Sequence, residues 1–229
     1  MPLRQPLSCD ELRLFLADFD SNGHLVDDEF VDTMVGLNRD ACERTLSLGT
    51  LLTTLGQHRM QLGDLSYAVI RDLYHALAPR REDVILELGS GYGRIGIYGG
   101  VLFGQRVVGI EIVPERVQEA MRVRNALRLN TVSFLQGDIL TAAWPEASIY
   151  LLLNTDFPPT MPTLIDRLYQ LSNSRSLLIA SLSSSNASLR VQPWLREHAP
   201  DCPSAKLPVE LRLFRSDVGE SPATNTRLA

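Results

Sequence analysis

Glu87-Leu88-Gly89-Ser90-Gly91-Tyr92-Gly93 closes an apolar run and opens a helix-like stretch. Glycines at such a junction let a backbone turn tightly and approach a ligand closely. Glu111 ends the next apolar run, about 20 residues on, where a carboxylate can accept both hydrogens of a ribose diol. Gln136-Gly137-Asp138-Ile139 follows a third run, with Asp138 placed to accept from an adenine amine and Ile139 to lie against the ring. A second constellation lies near the start. Asp18-Phe19-Asp20-Ser21-Asn22-Gly23-His24-Leu25-Val26-Asp27-Asp28-Glu29 satisfies D-x-[DN]-x-[DN]-G-x₅-E at every specified position. Asp18, Asp20 and Asn22 offer side-chain oxygens, His24 a carbonyl and Glu29 two carboxylate oxygens, a donor set suited to Ca²⁺.

These groups need elements to hold them. Apolar runs at 84–88, 106–110, 132–135, 148–153 and 177–182 read as strands, and 209–214 as a last strand with period-two alternation. Helix-like stretches lie between them at 93–103, 114–129 and 161–172. Strands alternating with helices predict an α/β, Rossmann-like doubly wound sheet, with the ligand at the switch point beside the first strand. Before it, Leu12, Phe15 and Leu16, then Phe30, Met34 and Leu37, give apolar helix faces on either side of the acidic segment. The expected organisation is a helix-loop-helix over 1–42, a helical connector over 43–80 interrupted by Gly49, Gly56 and Gly63, the α/β domain over 81–216 and a disordered tail over 217–229.

Composition bounds the rest. The 229 residues are 45% apolar and 21% charged, which fits one or two globular domains of about 150 residues. Net charge is −5, with no strong nucleic-acid signal. Residues 1–40 carry nine acidic and three basic residues, a net of −6, so the remainder is nearly neutral. Arg116, Arg122, Arg124 and Arg128 form a basic helix face, expected to be solvated. Cys9, Cys42 and Cys202 lie far apart in no metal or redox spacing, which favours a reducing compartment. Asp10, Glu11 and Arg13 interrupt the early apolar residues, so no signal peptide is expected. Runs such as Ile149–Leu153 are too short to cross a bilayer. The expectation is an intracellular, soluble chain of cytoplasm or nucleus, without a membrane partner.

Two nucleotide readings fit the glycine loop. Gly91-Tyr92-Gly93-Arg94-Ile95-Gly96 also satisfies the dinucleotide pattern G-x-G-x-x-G. Glu87 favours S-adenosylmethionine instead, because a carboxylate at a buried strand end suits an α-amino group and a sulfonium rather than a pyrophosphate. Asp138 and Ile139 add an adenine subsite. A bare strand-to-helix turn is the plain alternative. These residues resemble the class I, or seven-β-strand, S-adenosylmethionine-dependent methyltransferases over roughly residues 60–215. The resemblance implies that Gly89, Ser90, Gly91 and Gly93 hold the methionine part, Glu111 the ribose and Asp138 the adenine.

Within that family the chain is similar to the non-SET lysine methyltransferases of the disruptor-of-telomeric-silencing type. The similar pieces are Glu87-Leu88-Gly89-Ser90-Gly91, Gly109-Ile110-Glu111, Gly137-Asp138-Ile139-Leu140 and Asn154-Thr155-Asp156-Phe157. Leu62, Asp64 and Thr155 depart from that pattern. Gly91-Tyr92-Gly93-Arg94-Ile95 equally resembles mitochondrial lysine methyltransferases. Both imply N-methylation of a protein lysine, with Asn154 orienting the amine and Tyr92 and Phe157 lining a channel. Asp64 and Ser66 would close over the methionine end, or else cap a helix. The acidic segment resembles an EF-hand, and would modulate activity through calcium. EF-hands work in pairs, so either residues 41–60 form a degenerate partner or the hand pairs across a dimer. A small-molecule methyltransferase and a calcium-binding protein on an inactive scaffold remain the alternatives, with NAD-dependent oxidoreduction more distant.

Overall fold

The computed structural model describes residues 6–22, 27–46, 65–153, 160–183, 185–200 and 210–216. The expectations placed on 47–64, on 154–159 and on the tail lie outside those residues.

Local side chains set the first helix boundaries. Ser8 and Glu11 form a capping box: Glu11 Oε2 accepts from the Ser8 N–H at 3.0 Å and hydroxyl at 2.6 Å, starting α1 (Cys9–Asn22). Asp27 caps α2 (Asp28–Val35), which ends at Gly36 in the left-handed conformation. Asn38 caps α3 (Arg39–Thr45) and Ser66 caps α4 (Tyr67–Leu77).

The alternation then begins: β1 (Val84–Leu88), α5 (Arg94–Phe103), β2 (Arg106–Glu111), α6 (Pro114–Ala126), β3 (Val132–Gln136), β4 (Ile149–Leu152), α7 (Met161–Ser172), β5 (Leu178–Leu182), α8 (Ser185–Arg190), β6 (Leu195–His198) and β7 (Leu211–Ser216). The sheet order is β3-β2-β1-β4-β5-β7-β6. Neighbours from β3 to β5 pair in parallel, while β7 runs antiparallel to both β5 and β6. The order reverses beside β1, which makes the crevice outside β1 and β4 the switch point. β6 escaped the sequence reading because Leu195 is its one buried residue, so it carries no apolar run. α8 follows β5 within a serine-rich stretch. Ser185 is buried there and donates to the Leu182 carbonyl at 2.7 Å.

Side-chain alternation divides the core. Ile85, Val107, Ile149, Leu151, Ala180 and Leu213 face one layer, and Leu86, Leu88, Ile110, Tyr150, Ile179 and Phe214 face α7 and α8. The three N-terminal helices do not stand apart. Leu12, Leu16 and Phe19 of α1 and Val31, Met34 and Val35 of α2 share the first layer with Tyr67, Ile70, Ile97 and Tyr98. They form a cap over α5 and α6. Within it Phe30 meets Phe15 edge-on at 5.9 Å, and Met34 and Leu37 are buried.

The expectation of a solvated basic face holds for Arg122 and Arg128, which are exposed, and is corrected at Arg116, which the cap covers. Arg116 is 4% exposed and donates from Nε to Glu43 Oε1 at 3.2 Å. Arg122 donates to the Gly36 carbonyl, and Arg124 to the Val132 carbonyl at 2.9 Å. The cap supplies Glu43 and the Gly36 carbonyl, and α6 supplies Glu119, which accepts from Arg122 and from the Asn38 N–H of the cap, both at 2.7 Å. No helix among the described residues is long and apolar enough to cross a membrane.

Candidate functional site

The glycine loop leaves β1 at the switch point, held from below by the end of β2. Gly89 N–H and Ser90 N–H both donate to the Ile110 carbonyl, at 2.8 and 3.0 Å. Gly91 N–H donates to Glu111 Oε2 at 2.9 Å, and Glu111 Oε1 accepts from Val113 N–H at 2.9 Å. Gly89, Gly91 and Gly93 all have positive φ, at 85°, 52° and 76°. At Gly93 a Cβ would also collide with the Phe134 ring, so the loop lies tight on β3. Gly96, the last glycine of the dinucleotide-like pattern, brings α5 against the sheet: a Cβ there would stand 3.3 Å from Phe134 Cζ. That glycine is accounted for by packing, without a pyrophosphate.

The third segment joins the same edge. Gly137 N–H donates to the Glu111 carbonyl at 2.9 Å. Asp138 Oδ1 accepts from Leu140 N–H at 2.9 Å and its carbonyl receives Thr141 and Ala142, which closes a turn. Two residues that sequence reasoning missed as site supports brace this turn. Arg167 donates to the Ile139 and Ala142 carbonyls, both at 2.7 Å, and its guanidinium lies 4.0 Å from the Trp144 ring centroid. Trp144 Nε1 donates to the Ile139 carbonyl at 3.0 Å. Neither residue stands in a motif, so no local signal marked them.

The donors and acceptors fit an adenosine ligand with an amino-acid end. Glu87 is a carboxylate 5% exposed at the end of β1, and Ser90 Oγ is buried without a hydrogen bond. Each Glu111 oxygen takes one N–H, which leaves lone pairs for ribose hydroxyls. Thus Glu87, the glycine loop, Glu111, Asp138 and Ile139 are brought to one edge. Asp64, Asn154 and Phe157 lie outside the described residues.

Ser66 caps α4, its hydroxyl accepting from Val69 N–H at 3.3 Å. Other expectations are corrected. Tyr92 does not line an open channel. It is 1% exposed beneath α3, donating its hydroxyl to Glu43 between the guanidinium groups of Arg39 and Arg116, 5.7 and 5.9 Å from its ring. Burial, then the Glu43 carboxylate, holds the Tyr92 phenol far above its ordinary range, so it stays a neutral donor. Burial likewise raises the Cys42 thiol beside it.

The calcium loop is not formed by the described residues. Asp18, Asp20 and Asn22 sit inside α1, where alternate positions point to opposite sides and cannot converge on one ion. Asn22 Nδ2 donates to Asp18 Oδ1 at 2.6 Å, and Asp20 Oδ1 accepts from Tyr98 at 2.8 Å and lies 3.1 Å from His75 Nε2. Glu29 lies in the first turn of α2, its N–H on Asp27, and His24 is outside the described residues. No group of three or more His, Cys, Asp or Glu among the described residues could hold a metal.

No protein-family model matches the sequence, and no curated protein does either. Solved structures do match. An RNA methyltransferase from Salinibacter ruber, in complex with S-adenosyl-L-homocysteine, is 25% identical over 69% of this chain and 95% of its own, with a TM-score of 0.51. A putative methyltransferase, yhhF, from Escherichia coli is 16% identical over 66% and 85%, at 0.52. A mutant of MtNAS in complex with S-adenosylmethionine is 12% identical and covers 93% of both chains, at 0.51. With the strand order above, the chain has the α/β, seven-stranded, Rossmann-like methyltransferase fold.

Proposed function

We propose that this chain transfers a methyl group from S-adenosylmethionine to a nitrogen nucleophile, with lysine of a protein as acceptor. The observation that carries the cofactor assignment is the convergence of Glu87, the glycine loop, Glu111 and Asp138-Ile139 on one sheet edge at the switch point. Glu87, Gly89, Ser90, Gly91 and Gly93 would hold the amino-acid end, Glu111 the ribose, and Asp138 with Ile139 the adenine. When bound, the cofactor supplies an electrophilic methyl group on sulfur. The protein's share is alignment and exclusion of water. Tyr92 keeps its own proton and does not serve as base, so the amine loses its proton through water.

Lysine as acceptor rests on Asn154-Thr155-Asp156-Phe157 after β4, with Asn154 orienting the amine and Phe157 narrowing its approach. An RNA acceptor is the second reading, favoured by the 25% identical RNA methyltransferase. Net charge of −5 and arginines engaged within the chain weigh against it. Calcium modulation is not carried into the proposal, because Asp20 is engaged with Tyr98 and His75.

The test is transfer of tritiated methyl to separated protein, RNA and metabolite extracts, with wild type and Glu111→Ala. Label in protein that vanishes in the variant is the expected result. Label in RNA establishes the second reading, and label in metabolites alone moves the acceptor to a small molecule. No sinefungin binding by the wild type overturns the cofactor assignment.

A further inference from the structure

We propose that Asp32 and Glu43 of the cap are positioning residues of the glycine loop, gripping its outer side so that cap docking and cofactor binding form one coupled equilibrium. The inference rests on the cofactor assignment above and adds the residues that tune that site.

Gly93 is the pivot of the loop, and the side chains on both sides of it are held by the cap. On one side, Arg94 opens α5 with its guanidinium buried. Its Nε donates to Asp32 Oδ1 at 2.9 Å, and Nη2 donates to Asp32 Oδ2. Side-chain exposure is 5% for Arg94 and 7% for Asp32. Asp32 also accepts from the Tyr67 hydroxyl at 3.0 Å and lies 3.6 Å from Arg39 Nη1. Arg94 Nη1 donates to the Leu65 carbonyl at 3.2 Å, just ahead of α4. On the other side, Tyr92 donates to Glu43, which also accepts from Arg116. α2 therefore holds the residue after the pivot, and α3 the residue before it.

The inner side of the loop is fixed by strand ends, through Ile110, Glu111 and Phe134. The cap supplies the outer contacts. Three residues with positive φ make this backbone conformation entropically costly to hold. Removing Asp32 as a charge leaves Arg94 buried beside a weaker partner. The guanidinium then does better by turning toward water, and that motion pulls directly on the Gly93 peptide. Any ligand that needs the loop in its present shape also favours the docked cap, since such coupling is reciprocal.

In the full chain, Asp32→Asn and Glu43→Gln are compared with Leu168→Ala. The last is a truncation in the core of the opposite sheet face, which lowers stability without changing a side chain of the cap or the loop. Amide exchange at 89–97 is followed without ligand, and sinefungin binding by calorimetry, where all variants are folded. Loop exchange and sinefungin Kd are expected to rise about tenfold in Asp32→Asn and about fivefold in Glu43→Gln, within the usual span of coupled sites. Leu168→Ala is expected to leave both unchanged. Asp32→Glu, which keeps the charge, is expected to recover most of the affinity. In the wild type, saturating sinefungin is expected to slow exchange at 31–35 and 41–44. Unchanged loop exchange in both cap variants, or an equal rise in Leu168→Ala, overturns the proposal. If Asp32→Asn does not fold, Glu43→Gln decides alone, because the Glu43 side chain is 40% exposed. If the wild type binds no sinefungin, the cofactor assignment falls, and ligand-free loop exchange still decides the positioning role.

Discussion

The loop at 89–93 and the acidic segment at 18–29 are both glycine-bearing stretches beside carboxylates, and they are built on opposite principles. In the first, the backbone is the instrument. Strand pairing places Ile110 and Glu111 under the loop, and the amides of Gly89, Ser90 and Gly91 are already directed by them. In the second, chelation would need side chains to converge. The helix instead runs on through Asn22, and Asp20 is taken by Tyr98 and His75 from α5 and α4. A site made by strand ends keeps its inner contacts because the sheet fixes them, and neighbours such as the cap act only on its outer side. A site made by flexible carboxylates is lost whenever a tertiary partner offers a better hydrogen bond. The acidic segment docks through Asp20 on Tyr98 and His75, and the arginines of the α/β layer receive Asp32 and Glu43 farther along the cap.

The sharpest way to strain this comparison is to break the Arg94–Asp32 pair, which lies just beyond the two regions and ties the cap to the loop. Arg94→Met leaves Asp32 buried with Arg39 and Tyr67 alone, and is expected to cost about 3 kcal/mol in urea unfolding. Asp32→Asn combined with Arg94→Met is expected to cost less than the two single losses added together, since neither charge is then stranded. Next, Glu111→Ala removes the acceptor of Gly91 and Val113, and is expected to weaken sinefungin about 30-fold, or about 2 kcal/mol. Equal binding by variant and wild type would detach the glycine loop from any nucleotide.

A smaller effect is expected at the other region. Asp20→Asn weakens the bond from Tyr98 and is expected to cost about 1 kcal/mol, with the same Tm shift in calcium and in chelator. A calcium-dependent difference between variant and wild type would restore the chelating loop. The smallest effect concerns acid. Burial alone would raise Glu119, but hydrogen bonds from Arg122 and Asn38 N–H outweigh it and leave the carboxyl below its usual range. A depressed folded value means this contribution is whole above the usual carboxylate range and is lost as pH falls through the folded value. Arg122 is half-exposed, so less than about 1 kcal/mol is involved. Glu119→Gln should therefore flatten the decline of Tm between about pH 5 and pH 3.

Much of the fold was legible because its signals are local. Apolar runs such as 84–88 and 106–110 are buried on both faces, and the glycines between them can only mark turns or close approaches. Glu87, Glu111 and Asp138 could be placed because strand ends lie at one edge of a parallel sheet by construction. Tyr92 was misread for the opposite reason. Beside the glycines it looks like a channel wall, yet its direction is set by Glu43, 49 residues away. Arg167 and Trp144 carried no motif at all, although they brace the adenine-side turn.

The sequence by itself determined the alternating elements, the parallel order they impose and the carboxylates at the strand ends, since period and turn chemistry act over a few residues. Tertiary structure alone decided the fate of the acidic segment. Whether Asp20 binds an ion or a tyrosine, and whether Arg116 meets water or Glu43, depends on which groups are brought within hydrogen-bond reach across the fold. A charge has no preference among partners until folding removes the water around it.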